Sequence, residues 1–263
     1  MIGRIWTAYR CELEKAFRRR FTYLGLVLIV IAVASALLIR PVSRDSQADY
    51  AFIAYATPIA LNLLGLLVLV TYCAGLVSTE LGSGSICLAL VRPLRRHEFL
   101  IAKLLLGMTY AAMLTAAVAT VAWVIPLAFG DLTGVTYGGE TVFTAADMAA
   151  AYLFGALLVM APQGAIVAYS IMISTLTRST GAATGSAVGI LLMLDIVKYP
   201  LRIAPFVFST YIETPWRVFT SYCDGLDANW FPDTAYVLVN SVVYTVVFTA
   251  IAILSLSRRD LHT

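Results

Sequence analysis

Long charge-free apolar runs alternate with short polar connections along this chain. The first covers 21–39 and the second 51–77, neither with a charge. The third covers 101–129, the fourth 148–176, the fifth 181–197 and the sixth 234–256. A membrane-crossing helix needs about 20 mostly apolar residues, whereas a membrane strand needs about 9–11 in alternation. These runs are apolar on every side, so they predict an all-α membrane protein with six transmembrane helices. Apart from Lys103 at the start of the third run, Asp195 is the one charge inside these limits.

The first 20 residues follow another pattern. Ile2, Ile5, Trp6, Tyr9, Leu13, Ala16, Phe17 and Phe21 recur at helical spacing. Arg4, Glu12, Lys15, Arg18 and Arg19 occupy the other faces, and Glu14 is placed to pair with Arg18 one turn on. This predicts an amphipathic helix over 1–20 lying in the membrane interface, aromatic side down and arginines toward anionic headgroups. Ala34-Ser35-Ala36 imitates a signal-peptidase site. The long charged region before it, the apolar run continuing to Ile39 and the five later spans favour a retained first span.

Composition agrees. Of 263 residues, 60% are hydrophobic and 13% charged, against about 25% charged in a soluble domain. A formal net charge of +3 is too small to indicate a nucleic-acid partner. The placement of the positive charges says more. With the N-terminus inside, the cytoplasmic side takes Arg4, Arg10, Lys15, Arg18, Arg19, Arg20, Arg92, Arg95, Arg96, Lys103, Arg178, Arg258 and Arg259. That is 13 of the 18 Lys and Arg residues. The positive-inside rule then puts both termini of a multi-pass protein in the cytoplasm of a plasma (inner) membrane. Cys11 and Cys87 fall on that reducing side, Cys73 near the inner end of the second span and Cys223 outside, so no internal disulfide is expected.

The connection between the second and third spans carries the most information. Glu80, Gly82 and Gly84 open it, and an apolar stretch through Ile86, Leu88 and Leu90 follows. Pro93 stops that stretch, because the residue before a proline avoids the helical region. Arg95 and Arg96 then form a basic cluster. Such a short amphipathic helix suits a groove on a cytoplasmic partner.

Here the chain resembles the permease subunits of type-2 ABC exporters. Glu80, Gly84, Leu88, Leu90, Pro93, Arg96 and Lys103 fall at that family's spacing, with Ser85 where threonine is usual and Ala102 where glycine is usual. Ser257-Arg258-Arg259-Asp260 resembles its ending after the last span. The resemblance implies a domain of six spans over 21–263 behind the interfacial helix, with the loop helix as a coupling helix that receives motion from a separate ABC ATPase. It also implies a second permease copy, identical or related, and no cofactor in this chain, with ATP and Mg held by the partner. The absence of a G-x-x-x-x-G-K-[ST] phosphate loop agrees with a permease that is not itself an enzyme.

The segment from Tyr199 to Pro232 is dense in aromatics, among them Phe206, Phe208, Trp216 and Phe219, and is broken by Pro200, Pro205 and Pro215. The Trp and Tyr preference for the interface suits short helices dipping into the outer leaflet. The resemblance implies a re-entrant segment and an outer gate here; a packing cap over the bundle is the plain alternative. Gly181, Gly185 and Gly189 repeat every fourth residue, a spacing that admits close helix approach, either to a second copy or to a span of the same chain. Asn62 and Gln163 are polar residues deep in spans, suited to a pathway or to interhelical bonds. Asp195 and Lys198 lie on one helical face, so they can pair.

Other functions fit less well. An intramembrane hydrolase lacks its base, since His97 and His262 are the only histidines and both lie in cytoplasmic segments. A proton-driven transporter needs buried acidic chains, and the spans offer Asp195 alone. A relative of the exporters that transmits ATP-driven motion to an extracytoplasmic partner stays open. So few buried charges favour an amphiphilic or lipid-like substrate over a small hydrophilic one.

Overall fold

The computed structural model describes residues 2–84, 95–137, 140–226 and 229–258. Helix α1 covers Ile2–Arg18 and stops at Arg19, whose backbone is extended. α2 covers Arg20–Ser35 and tightens into a 3-10 turn over Ala36–Leu38 before Pro41. α3 (Ser46–Pro58), a π-helical stretch (Ile59–Gly65) and α4 (Leu66–Gly82) form one long rod. α5 covers Arg96–Phe129. The pair α6 (Ala145–Leu158) and α7 (Met160–Leu176) follows, then α8 (Thr180–Val197), the short α9 (Thr214–Cys223) and α10 (Asp233–Arg258).

Six helices among the described residues are long and apolar enough to cross a membrane: 20–38, 46–82, 96–129, 145–176, 180–197 and 233–258. They coincide with the six apolar runs, extended by a turn or so where polar residues continue the helix. The chain is thus a helical multi-pass membrane protein by its build. Large apolar side chains such as Ile31, Leu127, Leu157, Met193 and Val246 face outward, as a lipid-bathed surface requires. The second rod has 37 residues; at about 1.5 Å per residue it is roughly 55 Å long, against a hydrocarbon core of about 30 Å. It is therefore longer than the hydrocarbon core is thick.

Two features were not foreseen. Pro58 ends α3, and the π-helical stretch begins at the next residue. A proline deep in a helix removes one N–H and crowds the carbonyl four residues back, and a local change of winding relieves both. Gly65 closes the stretch, where an added Cβ would sit 2.9 Å from the Ala60 carbonyl oxygen. The second feature is a hairpin of β1 (Gly134–Tyr137) and β2 (Glu140–Thr144), antiparallel with a register shift between Val135 and Thr136. Thr144 then caps α6: its hydroxyl accepts from the Asp147 N–H at 3.3 Å, and its own N–H donates to the Asp147 carboxylate at 3.0 Å.

The bundle has two distinct ends. At one, the Arg96 guanidinium donates to the Leu256 and Ser257 carbonyls at 2.8 and 2.9 Å, so the start of α5 closes the last turn of α10. The Thr79 and Thr180 hydroxyls meet at 3.2 Å in the same region. α1 and the C-terminal end of α10 therefore share one end of the bundle. At the other end, Asp49 is fully buried and accepts from the N–H groups of Ser43 (3.0 Å) and Asp131 (2.7 Å). Ser46 donates to the Gly134 carbonyl at 2.6 Å, which fastens the hairpin to α3.

Candidate functional site

The buried charges gather where α1 meets the ends of α4 and α5. The Lys103 ammonium is 1% exposed and donates to Glu80 Oε1 at 2.6 Å and to Glu12 Oε2 at 2.5 Å. Glu12 also accepts from Lys15 at 2.7 Å. Two carboxylates and two ammoniums balance, which is the condition for keeping charges out of water. The second oxygen of Glu80, Oε2, is buried with no hydrogen-bond partner among the described residues. The Lys103 ammonium lies 5.2 Å from the centre of the Phe99 ring one turn back.

Each residue is there for a local reason. Ile5, Tyr9, Glu12 and Ala16 are among the buried or half-buried positions of α1 and are spaced at three and four residues, so Glu12 belongs to the stripe facing the protein. Trp6 and Phe17 are instead exposed beside it. Tyr9 meets Thr109 on α5 at 2.7 Å, and Arg4 approaches the buried Glu98 at 3.3 Å. Glu98 in turn accepts from the Arg95 N–H at 3.0 Å and so closes the first turn of α5. Among the described residues Glu14 and Arg18 do not pair; α1 pairs through Glu12 instead.

Burial works against the Glu12 carboxylate, but the Lys103 ammonium and its hydrogen bond, aided by Lys15, hold its pKa below the usual glutamate value. Burial likewise works against the Lys15 ammonium, and its bond to Glu12 outweighs that and raises its pKa. Glu12, Glu80 and Lys103 thus form an ionic clasp joining α1, α4 and α5 at the mouth of the connection that follows α4.

Of the expected coupling residues, Glu80 and Lys103 meet directly, and Arg96 holds the end of α10. Gly84 takes a positive φ of 68° just after α4, a conformation that favours glycine. Ser85, Leu88, Leu90 and Pro93 lie outside the described residues, as do Arg259 and Asp260. Sequence reasoning missed Glu12 and Glu98. The signal for Glu12 was its position within the apolar stripe of α1.

The candidates within the spans divide. Gln163 is buried and exchanges hydrogen bonds with Thr115 at 3.0 and 3.2 Å, an interhelical bond between α7 and α5. Asn62 sits in the π-helical stretch, and its Oδ1 is buried without a partner among the described residues. Among the described residues Gly181, Gly185 and Gly189 do not pack against another span: a Cβ at Gly185 or Gly189 would meet nothing within 4 Å. Asp195 and Lys198 do pair, at 2.7 Å, and Ser209 adds a hydrogen bond to Asp195 at 2.9 Å.

At the hairpin end the aromatic segment forms short turns over Ala204–Phe206 and Phe208–Ile212, followed by α9. Three of its four expected gate residues are buried in packing. Phe208 contacts Tyr169 and Phe248, while Trp216 and Phe219 contact Tyr152. Phe206 alone is exposed, at 73%, and it lines a cavity of about 580 Å³. Tyr211 donates to the Pro205 carbonyl at 2.7 Å and accepts from Asn240 at 2.9 Å, and the Tyr244 hydroxyl binds the Phe206 carbonyl. Burial raises the Tyr211 pKa, which keeps this phenol neutral. Burial also raises that of the Cys223 thiol, which points at the Tyr50 carbonyl at 3.6 Å.

The chain belongs to the family described as "Protein of unknown function (DUF2705)", whose model matches residues 25–262. No curated protein matches it.

Proposed function

We propose that this member of the DUF2705 family is the permease subunit of an ATP-driven exporter. In this reading two copies pair in the plasma membrane with both termini in the cytoplasm, and each binds a separate ABC ATPase through the loop from Glu80 to Arg96. The observation that carries it is the ionic clasp. Glu80 and Lys103, two of the positions on which the resemblance to type-2 ABC permeases rests, meet each other and Glu12 at the two ends of that loop. A push on the loop would then reach α4, α5 and the interfacial helix α1 together. The substrate is amphiphilic, because the described spans bury no charge along their middle thirds.

The exposed Trp6 and Phe17, with the arginines of α1, suit a helix lying on anionic lipid. The open face of α8 that carries Gly181, Gly185 and Gly189 suits contact with the second copy. The segment 199–226 takes the place of the re-entrant outer element. The test is purification of the tagged chain from its native membrane. A stoichiometric nucleotide-binding subunit, whose ATP hydrolysis rises when the two are reconstituted together, is expected. A chain that purifies without any such subunit overturns the reading.

A further inference from the structure

We propose that the outer cavity between the 199–217 segment and the start of α10 binds the headgroup of a zwitterionic, single-chain amphiphile bearing an ammonium and a phosphate. The cavity is bounded on one side by Asp233, Tyr236 and Asn240, which lie at three- and four-residue spacing on one face of α10. Its volume, about 580 Å³, falls within the roughly 300–1,000 Å³ that holds a drug-sized molecule. It therefore accepts a headgroup and the beginning of one chain.

The charge pattern selects the headgroup. Glu213, Arg217 and Asp233 all line the cavity. Glu213 has Lys198 at 3.9 Å, a long contact. Among the described residues neither Arg217 nor Asp233 has an ion-pair partner. A guanidinium and a carboxylate, each without an ion-pair partner among the described residues, thus share a single pocket. Lys198 is held closer by Asp195, at 2.7 Å, so the wall keeps a small excess of carboxylate beside its one guanidinium. A purely cationic ligand would meet Arg217 as a like charge, and a purely anionic one would meet Asp233. A zwitterion satisfies both: the planar guanidinium takes phosphate oxygens in pairs, and the carboxylate takes the ammonium. Phe206 and Tyr236 line the same space, and aromatic rings attract an ammonium.

A further observation concerns the chain of the amphiphile. Outside the cavity Ile196, Leu201 and Val239 are exposed apolar side chains, and an acyl chain leaving the cavity would lie across such a surface. This binding stands on the cavity alone; only the export of the bound molecule rests on the exporter reading.

The experiment uses the purified full-length chain in lipid nanodiscs, without ATPase, and radiolabelled lysophosphatidylethanolamine as probe. Saturable binding is expected. Unlabelled lysophosphatidylglycerol and dodecyltrimethylammonium should displace the probe at least tenfold less well than the unlabelled zwitterion. R217Q and D233N should each weaken binding about tenfold, while Val246→Ala, on the lipid-facing side of α10, leaves it unchanged. Equal displacement by all three amphiphiles would overturn the proposal, as would wild-type affinity in both cavity variants. The displacement series is run on the unmodified chain, so it decides even if a variant fails to fold. Binding without any ATPase partner in the native membrane would leave this inference standing and sink the exporter reading alone.

Discussion

Lys103 on α5 and Glu80 on α4 hold each other at 2.6 Å, both almost fully buried, across a connection that leaves one helix and enters the next. Neither charge is tolerable alone at such a place. Removing one partner from a buried pair costs about 3–5 kcal/mol, because the other is left uncompensated. Lys103→Met, which strands two carboxylates, should lower thermal stability in detergent by that order. The triple change Glu12→Gln, Glu80→Gln, Lys103→Met should regain most of the loss. A triple variant no more stable than Lys103→Met would show that the clasp is not the source of the effect.

The same clasp predicts a pH window. The folded pKa of Glu12 is lowered from its ordinary value of 4.5, so its stabilising contribution is complete above that value. It is lost as pH falls through the lowered folded value. Lys15 is raised from 10.5, so its contribution is complete below that value and is lost as pH rises through the raised one. The melting-temperature difference between the native chain and Glu12→Gln should therefore be flat from about pH 5 to pH 10 and shrink at both extremes. A difference that peaks in acid would refute the assignment.

Much of this fold was legible in the sequence, and what was missed has physical causes. The spans were plain because a bilayer demands length and uniform apolarity, and runs such as 21–39 supply both. The π-helical stretch was hidden because Pro58 sits inside an unbroken apolar run, where composition does not register winding. The hairpin did have a signal in the sequence: a Gly-Gly pair at 138–139, with Val135, Thr136 and Tyr137 before it and Thr141 and Val142 after it, is a dipeptide that favours a turn between β-formers. Glu80 and Lys103 were visible only as spacings. Their meeting with Glu12 depends on how α1 lies across α5, which no local pattern contains. The glycine repeat on α8 showed that a helix could come close without showing which one.

Gly82 predicts how tightly the clasp end is closed. A Cβ there would meet the Arg178 carbonyl oxygen at 2.6 Å, between the last turn of α4 and the α7–α8 connection. That contact is with backbone, so one of the two segments must move. Gly82→Ala should make the 177–179 connection more susceptible to limited proteolysis and lower stability by about 1–3 kcal/mol, the usual cost of overpacking. Unchanged cleavage and melting would show that the approach is looser than the structure has it.

Orientation is open to labelling. The positive-inside rule predicts the clasp end in the cytoplasm and the hairpin end outside. In intact cells, a membrane-impermeant thiol reagent should modify a cysteine placed at Arg44 or Glu140, both exposed at the hairpin end. A cysteine at Arg95 should react only after the membrane is opened. Labelling of the Arg95 position in intact cells would reverse the topology, and with it the cytoplasmic docking loop.

The last prediction concerns that loop. Leu88 and Leu90 are among its apolar side chains, and Arg92, Arg95 and Arg96 carry its positive charge. Arg96 is already committed to the carbonyls of Leu256 and Ser257, so its reversal to Glu would disturb α10 as well as any partner. The leucines make the cleaner test. Burying such a side chain in a partner's groove is worth about 1.5–3 kcal/mol. The double change Leu88→Ala with Leu90→Ala should therefore weaken ATPase co-purification by tenfold or more, since each 1.4 kcal/mol is a factor of ten. The chain should still insert and keep its melting temperature, because the clasp of Glu12, Glu80 and Lys103 is untouched. The contrast with the triple clasp variant separates docking from transmission. That variant should keep the ATPase bound yet hydrolyse ATP without moving substrate, whereas the leucine variant should lose the ATPase itself. If the leucine variant retains both binding and transport in proteoliposomes, the loop is a membrane anchor set by its arginines, and the clasp only braces the fold.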